Sequence, residues 1–297
     1  MSIFKTSCPG KTFIAGEYSA LFSQKAIVLL TEPSFRAEFY MGDCTDMSKH
    51  VVPKHCTGFV TKHANILQNI RYYFFDPYGN IGGVGASSAE FLFFFRAYCH
   101  FSGLDFNLDK LENKNKLLAS YHDSCWAGKG LRPSGVDLIS QNYSGLMFID
   151  LMNNITKKLL WPFPEVALTL VHTGKKLATH EHLEKVSAEN DFSSLTLLTE
   201  EISLSLEGGA KEKFFHNINQ LSMELSQMGL VASHTHEILE LCSKSGLFYA
   251  MKGCGAMCSD VVLLLYGLEK KDRVQKFLES HSLRVIANVG NIGATCV

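Results

Sequence analysis

Residues 88–101 constrain the fold most, because this stretch is apolar on nearly all sides. Only Glu90, Arg96 and His100 interrupt a run that is rich in phenylalanine. A helix with apolar side chains on every face has to be buried in a core, and Gly103 is suited to ending it. The rest of the chain can supply that core, since 46% of its 297 residues are hydrophobic. We therefore predict a globular protein built around this helix.

Charge and cysteine content narrow the class of protein. The net charge is −1, and no basic tail is visible in the sequence, which argues against binding to nucleic acid. Residues 1–10 are mixed in polarity, and the densest apolar run, residues 91–95, is far shorter than the roughly 20 residues that span a bilayer. The nine cysteines include no CxxC pair and are expected to be reduced thiols. We expect a cytoplasmic protein that binds neither nucleic acid nor membranes.

Helical and strand-like patterns are mixed along the chain, which predicts an α/β fold in two halves. Strand-like runs lie at residues 26–30, 35–40, 145–151, 166–172, 247–252 and 261–266. Helical patterns lie at residues 88–101, 109–125, 136–141 and 270–281, and several more fall between 179 and 245. The segment Trp161-Pro162-Phe163-Pro164 is the best candidate for a linker. We therefore expect an N-terminal domain of residues 1–160 and a C-terminal domain of residues 161–297.

The small-residue segment Gly82-Gly83-Val84-Gly85-Ala86-Ser87-Ser88-Ala89 runs directly into the buried helix. Glycine lets the backbone approach an anion closely, and the unpaired N–H groups and dipole at a helix N-terminus favour phosphate. Ser87 and Ser88 lie where their hydroxyls can cap the helix or reach a phosphate or its metal ion. The segment is neither a Walker A loop nor a G-x-G-x-x-G fingerprint. It is a candidate phosphate site, and an ordinary capped Gly-Ser turn is the alternative.

Two further short motifs lie near the two ends of the chain. Pro9-Gly10-Lys11, followed by Gly16-Glu17-Tyr18, places a lysine beside an expected Pro-Gly turn. Lys252-Gly253-Cys254-Gly255-Ala256-Met257 lies between two predicted strands, and its small residues allow close approach of the backbone to a ligand. Each motif alone also fits a simpler structure, an exposed loop lysine in the first case and a tight strand connection in the second.

In this order, the three motifs resemble those of the GHMP kinases, a superfamily that includes galactokinases, homoserine kinases, mevalonate kinases and phosphomevalonate kinases. The second motif matches from Gly83 to Ala89 and the third from Lys252 to Ala256. The resemblance spans nearly the whole chain. It implies a two-lobed α/β (α+β) kinase, with an N-terminal lobe like a ribosomal protein, a ferredoxin-like C-terminal lobe and the active site in the cleft between them.

The resemblance also implies roles for particular residues. Pro133-Ser134-Gly135-Val136-Asp137 is similar to a segment of the mevalonate branch whose aspartate faces the substrate hydroxyl. Because phosphoryl transfer needs a group that accepts or orients the hydroxyl proton, Asp137 is the expected catalytic carboxylate and Lys11 its partner. Expected ATP-binding residues are Gly83, Val84, Gly85, Ala86, Ser87, Ser88 and Ala89, with Ser88 also a Mg²⁺ ligand. Expected substrate-binding residues are Glu17, Tyr18, Ser134, Gly135, Thr173, Lys175, Thr179, Gly253, Gly255 and Ala256.

Two departures from the family pattern bear on the metal and the substrate. Mevalonate kinases usually place a magnesium-binding glutamate eleven residues before the aspartate, where this chain has Trp126. Either Asp123 replaces it, or Ser88 and ATP hold the metal with few protein ligands. Gly16-Glu17-Tyr18 is more similar to phosphomevalonate kinases, whereas the chain length is closer to the shorter mevalonate kinases. A phosphorylated substrate would need additional cations that face the cleft. Arg132 and Lys175 would favour 5-phosphomevalonate if both point into the cleft, and mevalonate if they point to solvent.

We therefore expect an ATP- and Mg²⁺-dependent kinase of the mevalonate pathway that phosphorylates mevalonate, with 5-phosphomevalonate as the alternative acceptor. A non-catalytic relative that binds a nucleotide or metabolite would be expected to lose Asp137 or Lys11, and this chain keeps both. A related decarboxylase fits less well, because the Pro-Gly-Lys and double-serine motifs are similar to those of kinases. The sequence leaves open whether the protein forms a homodimer.

Overall fold

The computed structural model describes residues 2–22, 25–41, 52–126, 128–175, 191–255 and 260–289. The strands are β1 (Ser2–Ala15), β2 (Lys25–Met41), β3 (Ile70–Phe75), β4 (Leu146–Asp150), β5 (Ile155–Leu159), β6 (Val166–His172), β7 (Ala250–Cys254), β8 (Val261–Gly267) and β9 (Val285–Val289). The helices are α1 (Lys54–Lys62), α2 (Ala64–Leu67), α3 (Ala86–Phe101), α4 (Leu111–Cys125), α5 (Val136–Ser140), α6 (Ser193–Glu207), α7 (Lys211–Gln227), α8 (Ser233–Ser245) and α9 (Lys271–Ser280). Among these helices none is long and apolar enough to cross a bilayer.

The strands form two antiparallel sheets, one from each half of the chain. The first sheet has the order β1-β2-β4-β5, and β3 also pairs with β2. The second sheet has the order β7-β8-β6-β9. Strand β5 ends at Leu159 and β6 begins at Val166, so the Trp161-Pro162-Phe163-Pro164 segment connects the two sheets. The prediction of a mixed α/β fold is confirmed.

Strand β2 corrects the prediction of two strands separated by Pro33. The structure has one strand, in which Cys8 of β1 pairs with Phe35 and Gly10 pairs with Thr31. Between these two pairs β1 has one residue and β2 has three, so Pro33 lies in a bulge of β2, where no ladder hydrogen bond is required of it. The expected Pro-Gly turn before Lys11 is also wrong, because Pro9 and Gly10 both lie inside β1.

Helix α3 is the buried helix that the sequence predicted at residues 88–101. Its phenylalanines contact aromatic rings from several other elements, and these buried rings contribute a large apolar area to the core. Phe94 meets Phe39 of β2, Phe91 meets Phe59 of α1, and Phe93 meets Phe74 of β3. This packing fixes the position of α3, and with it the position of the glycine-rich segment at the start of the helix.

The two halves share one hydrophobic core and are joined by a buried ion pair. Lys252 of β7 pairs with Glu17, and their side chains are 0% and 6% exposed. The Lys252 ammonium also donates a hydrogen bond to the backbone carbonyl of Phe13, over 3.3 Å. Because charges in the interior are costly to desolvate unless they are paired, this contact ties the end of β1 to β7.

Replacing Lys252 with methionine should test this ion pair. Lys252→Met leaves the Glu17 carboxylate buried without its cation, so we expect the free energy of unfolding in urea to fall by about 3–5 kcal/mol. Lys244→Met is the control, because Lys244 forms an exposed pair with Glu240 and should lose about 0.5 kcal/mol or less. Equal losses in the two variants would contradict a structural role for the buried pair.

Candidate active site

Lys11 of β1 and Asp137 of α5 form an ion pair, with 2.9 Å between Lys11 Nζ and Asp137 Oδ2. The Lys11 side chain is 8% exposed, whereas that of Asp137 is 32% exposed. Gly135 has a φ of 76° immediately before α5, and a side chain there would collide with Leu118. This glycine therefore lets α5 start close against α4 and places Asp137 in its first turn. The result is a nearly buried ammonium that holds a carboxylate reachable from solvent.

The start of α3 has the geometry of an anion-binding site. Gly85 precedes the helix with a φ of 89°, and as a glycine it has no side chain that could cap the first N–H groups. The first N–H groups of a helix have no acceptor within it, and together with the helix dipole they favour phosphate. The Val84 carbonyl accepts a hydrogen bond from the Lys11 N–H over 2.9 Å. The glycine-rich segment therefore lies directly beside the Lys11–Asp137 pair.

Gln141 is a site residue that no motif in the sequence indicates. Its side chain is 1% exposed and lies one helical turn after Asp137. Its amide nitrogen donates to the carbonyls of Pro9 and Gly85, over 3.0 and 3.1 Å, and its amide oxygen accepts from the Ser88 hydroxyl over 2.7 Å. Gln141 therefore fastens α5 to β1 and to the glycine-rich segment, which are the three parts of the candidate site.

Gly255 of the C-terminal motif and Gly83 of the glycine-rich segment before α3 both lie against Asp260. Asp260 is a second site residue that no motif in the sequence indicates. A Cβ added to Gly83 would lie 2.7 Å from the Asp260 Cβ, and one added to Gly255 would lie 3.1 Å from Asp260 Oδ2. Asp260 is buried, and its backbone carbonyl accepts a hydrogen bond from the Thr173 N–H over 3.1 Å. Only small residues at positions 83 and 255 allow both segments to close on this carboxylate.

Several expected substrate residues are engaged in contacts within the protein. Glu17 pairs with Lys252, and the ring of Tyr18 stacks on Phe192 with 5.8 Å between ring centroids. The Ser134 hydroxyl accepts a hydrogen bond from the Val136 N–H over 3.3 Å, at the start of α5. These contacts position the chain around the Lys11–Asp137 pair.

The other expected residues lie in the C-terminal half or outside the described part of the chain. The Thr173 hydroxyl donates to the carbonyl of Lys175 over 3.2 Å, and the Lys175 side chain is exposed. Gly253 is buried in β7. Thr179 and Ala256 lie outside the described residues.

The two expected magnesium ligands have protein partners. The Ser88 hydroxyl is bonded to Gln141. Asp123 lies at the surface, 2.9 Å from the ammonium of Lys62, and both side chains are 60% exposed. Within the described ranges, no three His, Cys, Asp or Glu side chains cluster closely enough to hold a metal ion.

Burial shifts the pKa of several groups near the site. It lowers the pKa of His122, although the Pro133 carbonyl at 2.8 Å acts in the opposite direction. It also lowers the pKa of His172, against the attraction of Asp260. Burial raises the pKa of the Cys254 thiol, so that this group stays protonated. Burial therefore disfavours the charged forms of these three groups.

The fold is that of the GHMP kinases, as the resemblance of the motifs implied. The chain is similar to the mevalonate kinase of Methanococcus jannaschii, with a TM-score of 0.69 and 17% identity over 97% of this chain and 98% of that one. It is also similar to the phosphomevalonate kinase of Streptococcus pneumoniae in complex with phosphomevalonate and AMPPNP, with a TM-score of 0.73 and 14% identity over 96% and 99%.

A third solved structure, the galactokinase of Lactococcus lactis complexed with galactose, has a TM-score of 0.71 and 11% identity over 96% of this chain and 92% of that one. No protein-family model matches the sequence. No curated protein matches it by sequence. At these identities the similarity shows the fold, and the three kinases differ in the substrate that their names give.

Replacing Gln141 with alanine should loosen the candidate site. Gln141→Ala leaves two partly buried carbonyls and the buried Ser88 hydroxyl without this partner, so we expect the free energy of unfolding in urea to fall by about 1–3 kcal/mol. Gln275→Ala is the control, since Gln275 is exposed and bonds along its own helix to Glu279. A Gln141 variant as stable as the Gln275 variant would show that the three segments are held by other contacts.

Proposed function

We propose that the protein is an ATP-dependent small-molecule kinase that transfers the γ-phosphoryl group of ATP to a hydroxyl group. The observation that supports this most is the Lys11–Asp137 pair beside the start of α3. Phosphoryl transfer depends on positioning the acceptor and on neutralising phosphate charge. A carboxylate next to an anion-binding helix start supplies both requirements within one site.

In the proposed reaction, Asp137 accepts or orients the proton of the acceptor hydroxyl. The hydroxyl oxygen then bonds to the γ-phosphorus, and ADP leaves with the electrons of the broken bond. The Lys11 ammonium fixes the carboxylate and lies close to the negative charge of the transferring group. We propose that the N–H groups of residues 83–88 bind the ATP phosphates, and that residues 1–160 and 161–297 form the two lobes around the site. The expected contribution of the Ala89 N–H is not proposed, because this group donates to the Gly85 carbonyl over 3.0 Å.

The described residues offer fewer groups that could bind Mg²⁺ than groups that could bind the ATP phosphates. Ser88 is the expected Mg²⁺ ligand within the glycine-rich segment. To bind the ion, its hydroxyl would have to break its hydrogen bond to Gln141 or bind the metal while keeping that bond. Magnesium often keeps several waters and uses one or two protein ligands together with substrate phosphates. We therefore propose that ATP phosphates and water hold Mg²⁺ with Ser88, and that Asp123 is outside the metal site because it pairs with Lys62.

We propose mevalonate as the acceptor, and 5-phosphomevalonate is the second candidate. One similar structure is a mevalonate kinase from L. major in complex with R-mevalonate, with 18% identity and a TM-score of 0.65. For the second candidate the chain offers Arg132, which precedes Pro133 in the sequence and lines a cavity of about 440 Å³ that Asp123 also lines. An extra phosphate group needs such a cation, since an unpaired charge is costly to desolvate.

An acceptor screen tests the proposed function. The protein is incubated with MgATP and, in separate reactions, with mevalonate, 5-phosphomevalonate, galactose or homoserine, and ADP release is measured by a coupled assay. We expect the highest kcat/KM for mevalonate. A clear preference for 5-phosphomevalonate would replace the acceptor and keep the kinase, whereas folded protein that phosphorylates none of the four would contradict the proposed function.

Asp137→Asn should lower turnover about 10²–10⁴-fold, because the amide keeps the shape but cannot accept the proton. ATP affinity, measured by calorimetry, should be retained, since the phosphates are bound elsewhere. Asp105→Asn is the control, because Asp105 forms an exposed pair with Lys110 and should keep wild-type turnover. An Asp137→Asn enzyme with more than about a tenth of wild-type turnover would rule out the assigned role.

Gly85→Val should abolish ATP binding. At a φ of 89° a side chain is strained, and its Cβ would lie 2.8 Å from Lys11 Cγ. Gly103→Val controls for the backbone strain, because Gly103 has a φ of 66° but no atom within 4 Å of an added Cβ. Calorimetry should show ATP binding in the Gly103 variant only, and unchanged affinity in a folded Gly85 variant would place the phosphates elsewhere.

A further inference from the structure

A second cavity, of about 650 Å³, lies between β1, the C-terminal part of α3 and the loop that follows α3. Thr6 in its lining is five residues before Lys11 in the same strand, which at about 3.3 Å per residue separates it from the candidate active site by roughly 15 Å. Phe4, Leu104 and Phe106 give the cavity an apolar wall. Arg96 gives it a cation, and the ammonium of Lys5, which also lines it, is paired with Glu38. Small-molecule sites combine an apolar lining with a few polar groups in this way.

Arg96 forms no ion pair with an acid among the described residues, although Asp109 lines the same cavity. Its guanidinium donates to the Thr6 hydroxyl over 3.0 Å, to the Ser7 carbonyl over 2.7 Å and to the Asn142 side-chain oxygen over 2.7 Å. All three acceptors are neutral, and the ion pairs of the described part of the chain include none to Arg96. Burial lowers the pKa of this guanidinium. A largely buried cation without an acid is costly, and a bound anion would offset that cost.

Arg96 also has hydrogen-bonding capacity to spare. A guanidinium carries five N–H donors, and the three bonds above use only Nη1 and one donor of Nη2. The N–H of Nε and the second N–H of Nη2 have no acceptor among the described residues. N–H donors of a guanidinium match the oxygens of a carboxylate or phosphate group. The ring of Phe106 lies 5.5 Å from the guanidinium carbon, so an apolar surface adjoins the donors.

We propose that this cavity binds a small organic oxyanion, whose carboxylate or phosphate group pairs with Arg96 and whose apolar body packs against Phe4, Leu104 and Phe106. Asp109 also lines the cavity. Its charge disfavours polyanions, so the site selects a compact ligand with one anionic group. This binding site is separate from the proposed kinase site, and its test does not depend on kinase activity.

Two aromatic anions serve as probes of the proposed site. Phenyl phosphate and benzoate share a ring and differ in the anionic group, and benzyl alcohol is a neutral control of similar size. We expect saturable binding of at least one anion in calorimetry, and the tighter of the two identifies the preferred group. Failure of both anions to bind, or equal binding of benzyl alcohol, would overturn the proposal.

Two variants locate the bound probe. Replacing Arg96 itself would break its three bonds to the fold, so Leu104, which is 52% exposed, is the better position. Leu104→Glu places a carboxylate in the cavity wall and should weaken probe binding at least about tenfold through repulsion at short range. Leu111→Glu is the matched control, because Leu111 is 50% exposed and lies outside the lining. Equal affinities in the two variants would place the probe elsewhere and overturn the proposal.

Discussion

The ion pair between Lys11 and Asp137 is the contact on which the candidate site depends. A nearly buried ammonium is stable only when it is paired, so the carboxylate stabilises the lysine as well as facing the acceptor in the proposed reaction. The pair forms only if β1, α5 and the start of α3 meet in one arrangement, and Gln141 bonds to all three. The geometry of the proposed site and its local stability are therefore set by the same few hydrogen bonds.

Strand β1 carries this arrangement to the other half of the molecule. Two residues after Lys11, the carbonyl of Phe13 accepts hydrogen bonds from Lys252 and from the thiol of Cys254. Lys252 also binds Glu17, and Asp260 brings the two glycine motifs together. Buried polar contacts of this kind are costly when one partner is lost, so the position of the second sheet relative to the first is strongly specified.

The sequence predicted what local patterns determine. The phenylalanine-rich run identified α3, and the glycines and serines before it identified the segment that the structure places beside Lys11. Contacts between distant residues were beyond reach, because nothing in a local pattern pairs Glu17 with Lys252, 235 residues later. Gln141 and Asp260 were missed for the same reason. Pro33 misled because a proline interrupts a strand only where its missing N–H is needed, and here it lies in a bulge of β2.

A double-mutant cycle on kcat/KM for ATP and mevalonate tests the central claim that Lys11 and Asp137 act as one unit. The cycle compares the wild type, Lys11→Met, Asp137→Asn and the double variant, with folding verified for each. Residues that act together are strongly non-additive. The double variant should therefore lose no more activity than the worse single variant. Losses that multiply would show that the two side chains act independently, and would contradict the account.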